Sequence, residues 1–560
     1  MKKLVLLLLA IFMLVGSLAS CNVENLEVNL PSSMDVGIQV SGQILTPSME
    51  EEVPTADAGG STATEPSTTR PSGSATKPST TTRPSGTTVT EPSPAPGGST
   101  DSLEGLTEIE KRALEKDNLP DNLNYDYEEF KTLSFKELFS LDVSGTEHAG
   151  DMITDSVYRR NTAVENRLKV SISHTVSYTQ KFTEFAEEIA SLYSAGVDEY
   201  DAIFIMGNAA IQYNYTVDAF TEIDNLKYIS KDAPWWWADA MEEVSYNNNR
   251  QKFLIGDICL SAYTRVGTML VNSTDYNRIF ADEGIDGLYD LVLDRKWTVA
   301  ELKMRASQAY RDPNGDGVKL GDYSDYIGLS VGNAEMIKLL EYGFDVKRYS
   351  RDENGVAYLD YDTNRAGVAT DALIDLLFET DGVSWKSGYD KPRDFAQGRT
   401  LFQAGLISDL LSTEIREMAD NYTVVPLPML DSSQTEYTSN IQNSAQMVGV
   451  LKSVTDTDFS SAVIEALCTE SYRKVVLPFF ETALKIRYAR DSGIGKMIDI
   501  INDTATKNFL YEYLPGDGCG ALITNVVLTG RNELDSEYAN AAEYTNVYLS
   551  LLRALLNSAN

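Results

Sequence analysis

Between residues 150 and 210 the spacing of apolar positions changes several times. Ile153, Val157, Val164 and Leu168 recur at helical intervals and share one face of a predicted helix. Val170-Ser171-Ile172 follows as a short strand. Phe182, Phe185, Ile189 and Leu192 then repeat the helical spacing, with Gly196 placed as a C-cap. Ala202-Ile203-Phe204-Ile205-Met206 is an unbroken apolar run, the pattern of a strand buried on both faces. Helix and strand in alternation predict a parallel α/β sheet. Gly207 and Asn208 then fall at a strand's carboxyl end, where such sheets bind ligands.

The alternation continues. Trp297-Thr298-Val299-Ala300-Glu301-Leu302 predicts a helix start, with Thr298 as cap, Glu301 returning the capping bond and Trp297 stapled onto Leu302. Ile327 to Val331 reads as a strand ending at Gly332-Asn333. Thr423-Val424-Val425 precedes Pro426-Leu427-Pro428, Gln446 to Val450 is another apolar segment, and helices are expected near 458–470 and 540–556. The pattern fails ahead of this body. From Pro54 to Ser102 the chain is mainly Ser, Thr, Pro and Gly, with TTRPSG at 68–73 and again at 81–86. Such a stretch buries too little apolar surface to offset its ordering entropy and reads as a disordered tether. About 50 flexible residues reach roughly 40 Å. Residues 22–118 are assigned to this tether and 119–560 to the folded body.

Lys2-Lys3, the apolar stretch Leu4 to Val15 and Leu18-Ala19-Ser20-Cys21 predict a signal peptide over residues 1–21. The net charge of −36, from 83 acidic and 47 basic residues, and the lack of any Lys/Arg run past residue 3 exclude a nucleic-acid surface. His148 and His174 are the two histidines, so a Ser-His-Asp triad or a His-rich metal site has little to draw on. Cys259, Cys468 and Cys519 lack metal or disulfide-framework spacing and are expected as buried free thiols.

Leu18 to Cys21 resembles the lipobox of bacterial lipoproteins, which implies a lipid-modified (palmitate-bearing) Cys21. Downstream come GDMITDSVYRRNTAVENRLKV, YDAIFIMG, PWW with GDICLS, RKWTVAELKMRASQAYRDPNGDG, FAQGRTLF, VVPLPMLDSSQTEYTS and VLPFFETALKIRYARD. In that order, from about residue 119 to 550, they resemble the extracellular solute-binding lipoproteins of sugar-type ABC importers. The resemblance implies a two-lobed α/β fold, periplasmic-binding-protein-like, with hinge strands between lobes. It also implies a non-enzymatic, monomeric receptor, lipid-anchored on the extracellular face of the cell membrane, that hands a carbohydrate to an ABC permease. The size of the body favours an oligosaccharide. A secreted glycan-degrading enzyme, with two carboxylates flanking a glycosidic bond, and a receptor for another solute such as a peptide are the alternatives.

Sugar capture needs aromatic faces for C–H surfaces and polar groups for hydroxyls. The candidates are Asn208, Trp235, Trp236 and Asp257 in the first lobe and Asn333, Trp385 and Tyr389 in the second. Tyr437, Asn440 and Asn443 follow the Pro-Leu-Pro turn. Three consecutive tryptophans, Trp235 to Trp237, cannot all face one way, so packing competes with stacking there. Asp312-Pro313-Asn314-Gly315-Asp316-Gly317 carries EF-hand-like ligand spacing. Asp312, Asn314, Asp316 and the Val318 carbonyl would hold a structural calcium; Tyr323 stands at position 12, so Asp322 or Asp325 would close the shell, and Asp325 resembles the family's closing acid displaced by two residues. A tight ion-free turn is the alternative.

Overall fold

A computed structural model describes residues 108–558, except 136–140, 146–151, 208–217, 246, 248–249, 316–324, 386–390, 480–492 and 507–517. The predicted first helix is α2 (Met152–Leu168), following α1 (Glu108–Leu114). Ile153, Val157, Val164 and Leu168 are all buried. Helix α3 (Phe182–Ser194) buries Phe185 and Ile189 and leaves Phe182 exposed at its first turn. Gly196 closes it at φ +64°, the left-handed conformation glycine adopts at least cost.

These elements surround a first sheet of order β12-β3-β1-β2. Strands β1 (Glu128–Ser134), β2 (Val170–Val176) and β3 (Ala202–Met206) run parallel. β12 (Gln446–Gly449) returns antiparallel along β3. Every residue of β3 is buried, as its uninterrupted apolar run requires.

A second sheet has the order β10-β4-β9-β5-β8. Strands β9 (Thr400–Leu406), β5 (Ile327–Val331) and β8 (Val383–Trp385) are parallel. β4 (Gly267–Asn272) is antiparallel to both β9 and β10 (Tyr422–Val425). A hairpin of β6 (Tyr349–Arg351) and β7 (Ala357–Leu359) lies outside both sheets.

The two lobes are joined by crossings of the chain. The first passes from β3 to β4 through the short helix α4 (Leu260–Thr264). The second runs from β10 to β12 through β11 (Ser439–Asn440). The third leads from α9 (Thr457–Lys474), packed on α2, to α10 (Ile494–Asp503), packed on β10. β13 (Ala505–Thr506) then pairs in parallel with β11. The first two crossings bond each other: Gln442 N–H donates to the Arg265 carbonyl at 2.9 Å, and Val266 bridges Ile441.

Two expectations shift. Ahead of residue 119, α1 already packs on α9, and the Arg112 guanidinium lies 4.4 Å from the Tyr472 ring centroid. Asp117 accepts from both terminal nitrogens of Arg167, at 2.5 and 2.7 Å. These partners are distant in the chain, so local composition did not expose them. Thr298 does occupy the N-cap of α5 (Val299–Ala309), but its hydroxyl makes no capping bond. Glu301 instead pairs with Arg305, which also donates to the Tyr276 hydroxyl at 2.7 Å. Trp297 is buried and donates to the Pro426 carbonyl at 2.9 Å. Cys259, Cys468 and Cys519 are free and buried, as expected. Among the described residues no helix is long and apolar enough to cross a membrane.

Candidate functional site

The carboxyl ends of both sheets meet the crossings. Past β3, the Gly207 N–H donates to the Asn443 carbonyl at 2.9 Å. Past β9, the Ile407 N–H donates to the Val266 carbonyl at 3.1 Å. Open α/β sheets bind ligands at this end, so the crossings are the floor of the candidate site.

Asp257 is the central acid of that floor. Its backbone N–H donates to the Trp235 carbonyl at 2.9 Å, which seats it beside the tryptophan segment. One carboxylate oxygen accepts from the Tyr263 hydroxyl (2.6 Å) and from Trp237 Nε1 (3.1 Å). The other oxygen is buried without a partner. Burial pushes the Asp257 carboxyl up to about 6, and the Tyr263 and Trp237 bonds only partly offset it. The Trp237 ring stands edge-on to Tyr263, with centroids 4.6 Å apart at 84°, and is half-buried.

A second buried acid fixes the same helix from the first lobe. Asp142 accepts from Ser261 N–H at 2.8 Å and from Ser261 Oγ at 2.6 Å. Ser261 Oγ in turn accepts from Gln446 N–H at 2.9 Å, tying the first crossing to the second. Arg160, fully buried, holds the Asp142 loop by donating to the Asp142 carbonyl at 2.9 Å, and it reaches Ser471 Oγ of α9 at 3.2 Å. Burial raises Asp142 to about 6 against the Ser261 bonds and the Arg160 charge. Both oxygens of Asp142 serve Ser261, so it is a structural clamp and not a free acid.

The other sequence candidates are dispersed. Trp235 and Trp236 point into the core, where both indole N–H groups donate to the Glu465 carboxylate, at 3.1 and 2.8 Å. Burial takes both out of the stacking position expected for them; Trp237 is the partly exposed member of the three. Gly256 explains the close fit, because a Cβ there would lie 2.4 Å from the Trp235 carbonyl oxygen and 2.6 Å from the Trp236 ring. Tyr437 is likewise structural: it is buried, its hydroxyl donates to the Val292 carbonyl at 3.0 Å, and burial raises its pKa. Asn440 sits on β11 with its amide N–H on the Ile441 carbonyl at 3.1 Å and its side-chain oxygen buried and unpartnered. Asn333 caps α6 (Ala334–Tyr342) by accepting from Met336 N–H at 3.1 Å. Trp385 packs edge-on against Phe378, centroids 5.7 Å apart. Asn208 and Tyr389 lie outside the described residues. The sequence reading missed Tyr263 and the Asp142–Ser261 clamp; it left open which of Trp235 to Trp237 faces out, because the period of the segment does not tell.

At the metal motif, Asp312 accepts from Gly315 N–H at 2.6 Å and Gly315 adopts φ +71°, an Asx-type turn. The bridge between Arg311 and Tyr326 closes the loop, so Asp312 and the buried Asp325 stand at its base; Asn314 is exposed. Tyr310 donates to Asp325 at 3.2 Å. Asp316 and Val318 lie outside the described residues. Among the described residues, no group of three or more His, Cys, Asp or Glu side chains is placed to hold a metal ion.

A surface groove of about 440 Å³ between α5 and α7 (Thr363–Ile374), lined by Val299, Lys303, Met304, Ala372 and Asp375, shares no residue with the crossings.

The architecture is thus a pair of α/β lobes linked by crossing segments, with buried polar groups where the sheet ends meet. Among solved structures, the chain is similar to an ABC transporter solute-binding protein from Thermotoga lettingae bound with α-D-tagatose. The identity is 15% and the TM-score 0.49, with 75% of this chain and 100% of the other covered. It is also similar to the GacH receptor of Streptomyces glaucescens, solved unliganded and with acarbose or an acarbose homologue. There the identity is 13% and the TM-score 0.46, with 76% and 99% covered. No protein-family model and no curated protein sequence matches the chain.

Proposed function

We propose that this chain is a surface receptor that captures a neutral saccharide between its lobes, leaves it chemically intact and delivers it to an ABC importer permease. The observation that carries the reading is the convergence of both sheets' carboxyl ends on bonded crossings that contain Trp237, Asp257 and Asn440. An aromatic edge beside unpartnered buried acceptors suits a ligand that offers C–H faces and hydroxyl donors. Bridging both lobes favours a closed arrangement over an open one. Trp237 supplies the aromatic surface, and Asp257 and Asn440 accept hydroxyls. Asn333, just past β5, and Trp385, at the end of β8, would add to the contact set.

Anchoring through Cys21 and the Ser/Thr/Pro tether would place a monomeric body on the extracellular face. A calcium ion would pin the 312–325 loop through Asp312, Asn314, Asp316, the Val318 carbonyl and Asp325, without a part in capture.

The test is native mass spectrometry of the full chain with an oligosaccharide panel, paired with a reducing-end release assay. A saccharide adduct of unaltered mass with no release supports the reading. Steady release of reducing ends, or adducts formed only with peptides, overturns it.

A further inference from the structure

The second sheet carries a polar row that capture by the crossings does not use. Reading across the strands in register, Val424 of β10 pairs Leu270 of β4, which pairs Gln403 of β9. Gln403 pairs Ser330 of β5, which pairs Ser384 of β8. Side chains in one row project to one face. The row is therefore apolar on two strands and polar on the next three.

All three polar residues are buried, with exposures of 1% for Gln403, 2% for Ser330 and 4% for Ser384. Both polar atoms of the Gln403 amide and both serine hydroxyls lack a hydrogen-bond partner. Neighbouring strands lie about 4.8 Å apart, so the three could turn toward one another. Even then Gln403 would satisfy one end on Ser330, leaving its other end open. A buried polar group without a partner destabilises the fold, and native interiors rarely leave several together.

The position of the row is functional in kind. Ser330 and Ser384 are each the penultimate residue of a parallel strand, at the carboxyl end that faces the crossings. Ser330 lies three residues before the half-exposed Asn333. The row contains no charge, and each member both donates and accepts, which matches sugar hydroxyls. The chain's net charge of −36 adds a penalty against anionic guests.

We infer that Gln403, Ser330 and Ser384 form the specificity-determining hydroxyl subsite of the second lobe, taking vicinal hydroxyls of a neutral saccharide. This rests on the receptor reading above. α8 (Lys391–Ala396) packs on β9, the strand that carries Gln403.

The test is isothermal titration of wild type, Ser330→Ala and Gln403→Leu with maltotriose, xylotriose, mannotriose and raffinose, with thermal unfolding of each ligand-free protein. The subsite predicts that the saccharide bound by wild type loses at least tenfold in affinity in either variant. It also predicts ligand-free melting temperatures no lower than wild type, because an unpartnered polar group has been removed. Ser330→Ala removes one oxygen and keeps the test open if Gln403→Leu fails to fold. Wild-type affinity retained within twofold by a folded variant overturns the subsite and leaves the receptor reading standing. A wild type that binds none of the four, nor the wider panel, overturns the receptor reading and the subsite with it.

Discussion

Replacing Asp257 by Asn should stabilise the ligand-free protein at neutral pH, against the usual sign for a buried, hydrogen-bonded residue. Its carboxyl is pushed up to about 6 from an ordinary 3.8, chiefly by burial. The folded state therefore binds the proton more tightly than the unfolded chain. Its penalty is complete above the folded value and fades as pH falls from about 6 toward 3.8. A shift of about two units corresponds to about 3 kcal/mol at pH 7.5, and about half of that remains at pH 5. The Asn side chain keeps an acceptor for Tyr263 and Trp237 but puts an N–H where the unpartnered oxygen stood. That orphan donor takes back about 1 kcal/mol or more, leaving a gain of about 1–2 kcal/mol at neutral pH. His174 titrates the other way: burial holds it down to about 4, so its contribution is lost as pH falls below its ordinary range. Comparing the variant with wild type at each pH cancels that contribution. Urea unfolding at pH 7.5 and pH 5 is the assay. The expected gap favours the variant at pH 7.5 and narrows by more than 1 kcal/mol at pH 5. A variant less stable at pH 7.5, or a gap independent of pH, refutes the assignment of an uncompensated buried carboxylate.

Further predictions separate packing from capture. Trp237→Ala should weaken saccharide binding about tenfold or more, or about 1.4 kcal/mol, by titration, while Trp236→Ala should cost about 3–5 kcal/mol of stability in denaturant and bind normally when folded. Arg160→Met should destabilise by about 3–5 kcal/mol in the same assay, because it strips buried donors from the Asp142 loop and leaves that acid without its nearest cation. Gly256→Ala should lower the melting temperature sharply, since the new methyl group would meet the Trp235 carbonyl oxygen at 2.4 Å. Calcium should raise the melting temperature over that in chelator, with about 2.7 kcal/mol of added stability at a hundredfold excess over its dissociation constant; Asp325→Ala should abolish the shift, and an unchanged shift in that variant would reject the loop site.

What the chain disclosed before folding was decided by period. Ile153 to Leu168 and Ala202 to Met206 each carry one unambiguous spacing, and both became the elements they foretold. The same holds for Ile327 to Val331 and for the helix that contains 458–470. The crossings were obscure because β11 and β13 are two residues each, too short for any repeat. The site was obscure for a related reason. Trp235 and Trp236 share a polar anchor, Glu465, that lies about 230 positions away in sequence; no local signal announces that they turn inward and Trp237 does not. Glu301 stands at the position of a capping partner, but Arg305 one turn on offers a full charge, which outcompetes a backbone N–H. Ser330 was visible only as a polar residue in an apolar strand, and its significance depends on the register that aligns it with Gln403 and Ser384.

The central claim is that two lobes close on an intact neutral guest at their shared crossings. Small-angle scattering of the full chain, with and without the saccharide identified by native mass spectrometry, addresses it most directly. The account predicts a smaller radius of gyration on saturation, a one-to-one adduct of unaltered saccharide mass, and loss of both effects in Trp237→Ala. An unchanged radius with bound saccharide, or recovery of a cleaved saccharide, would contradict it.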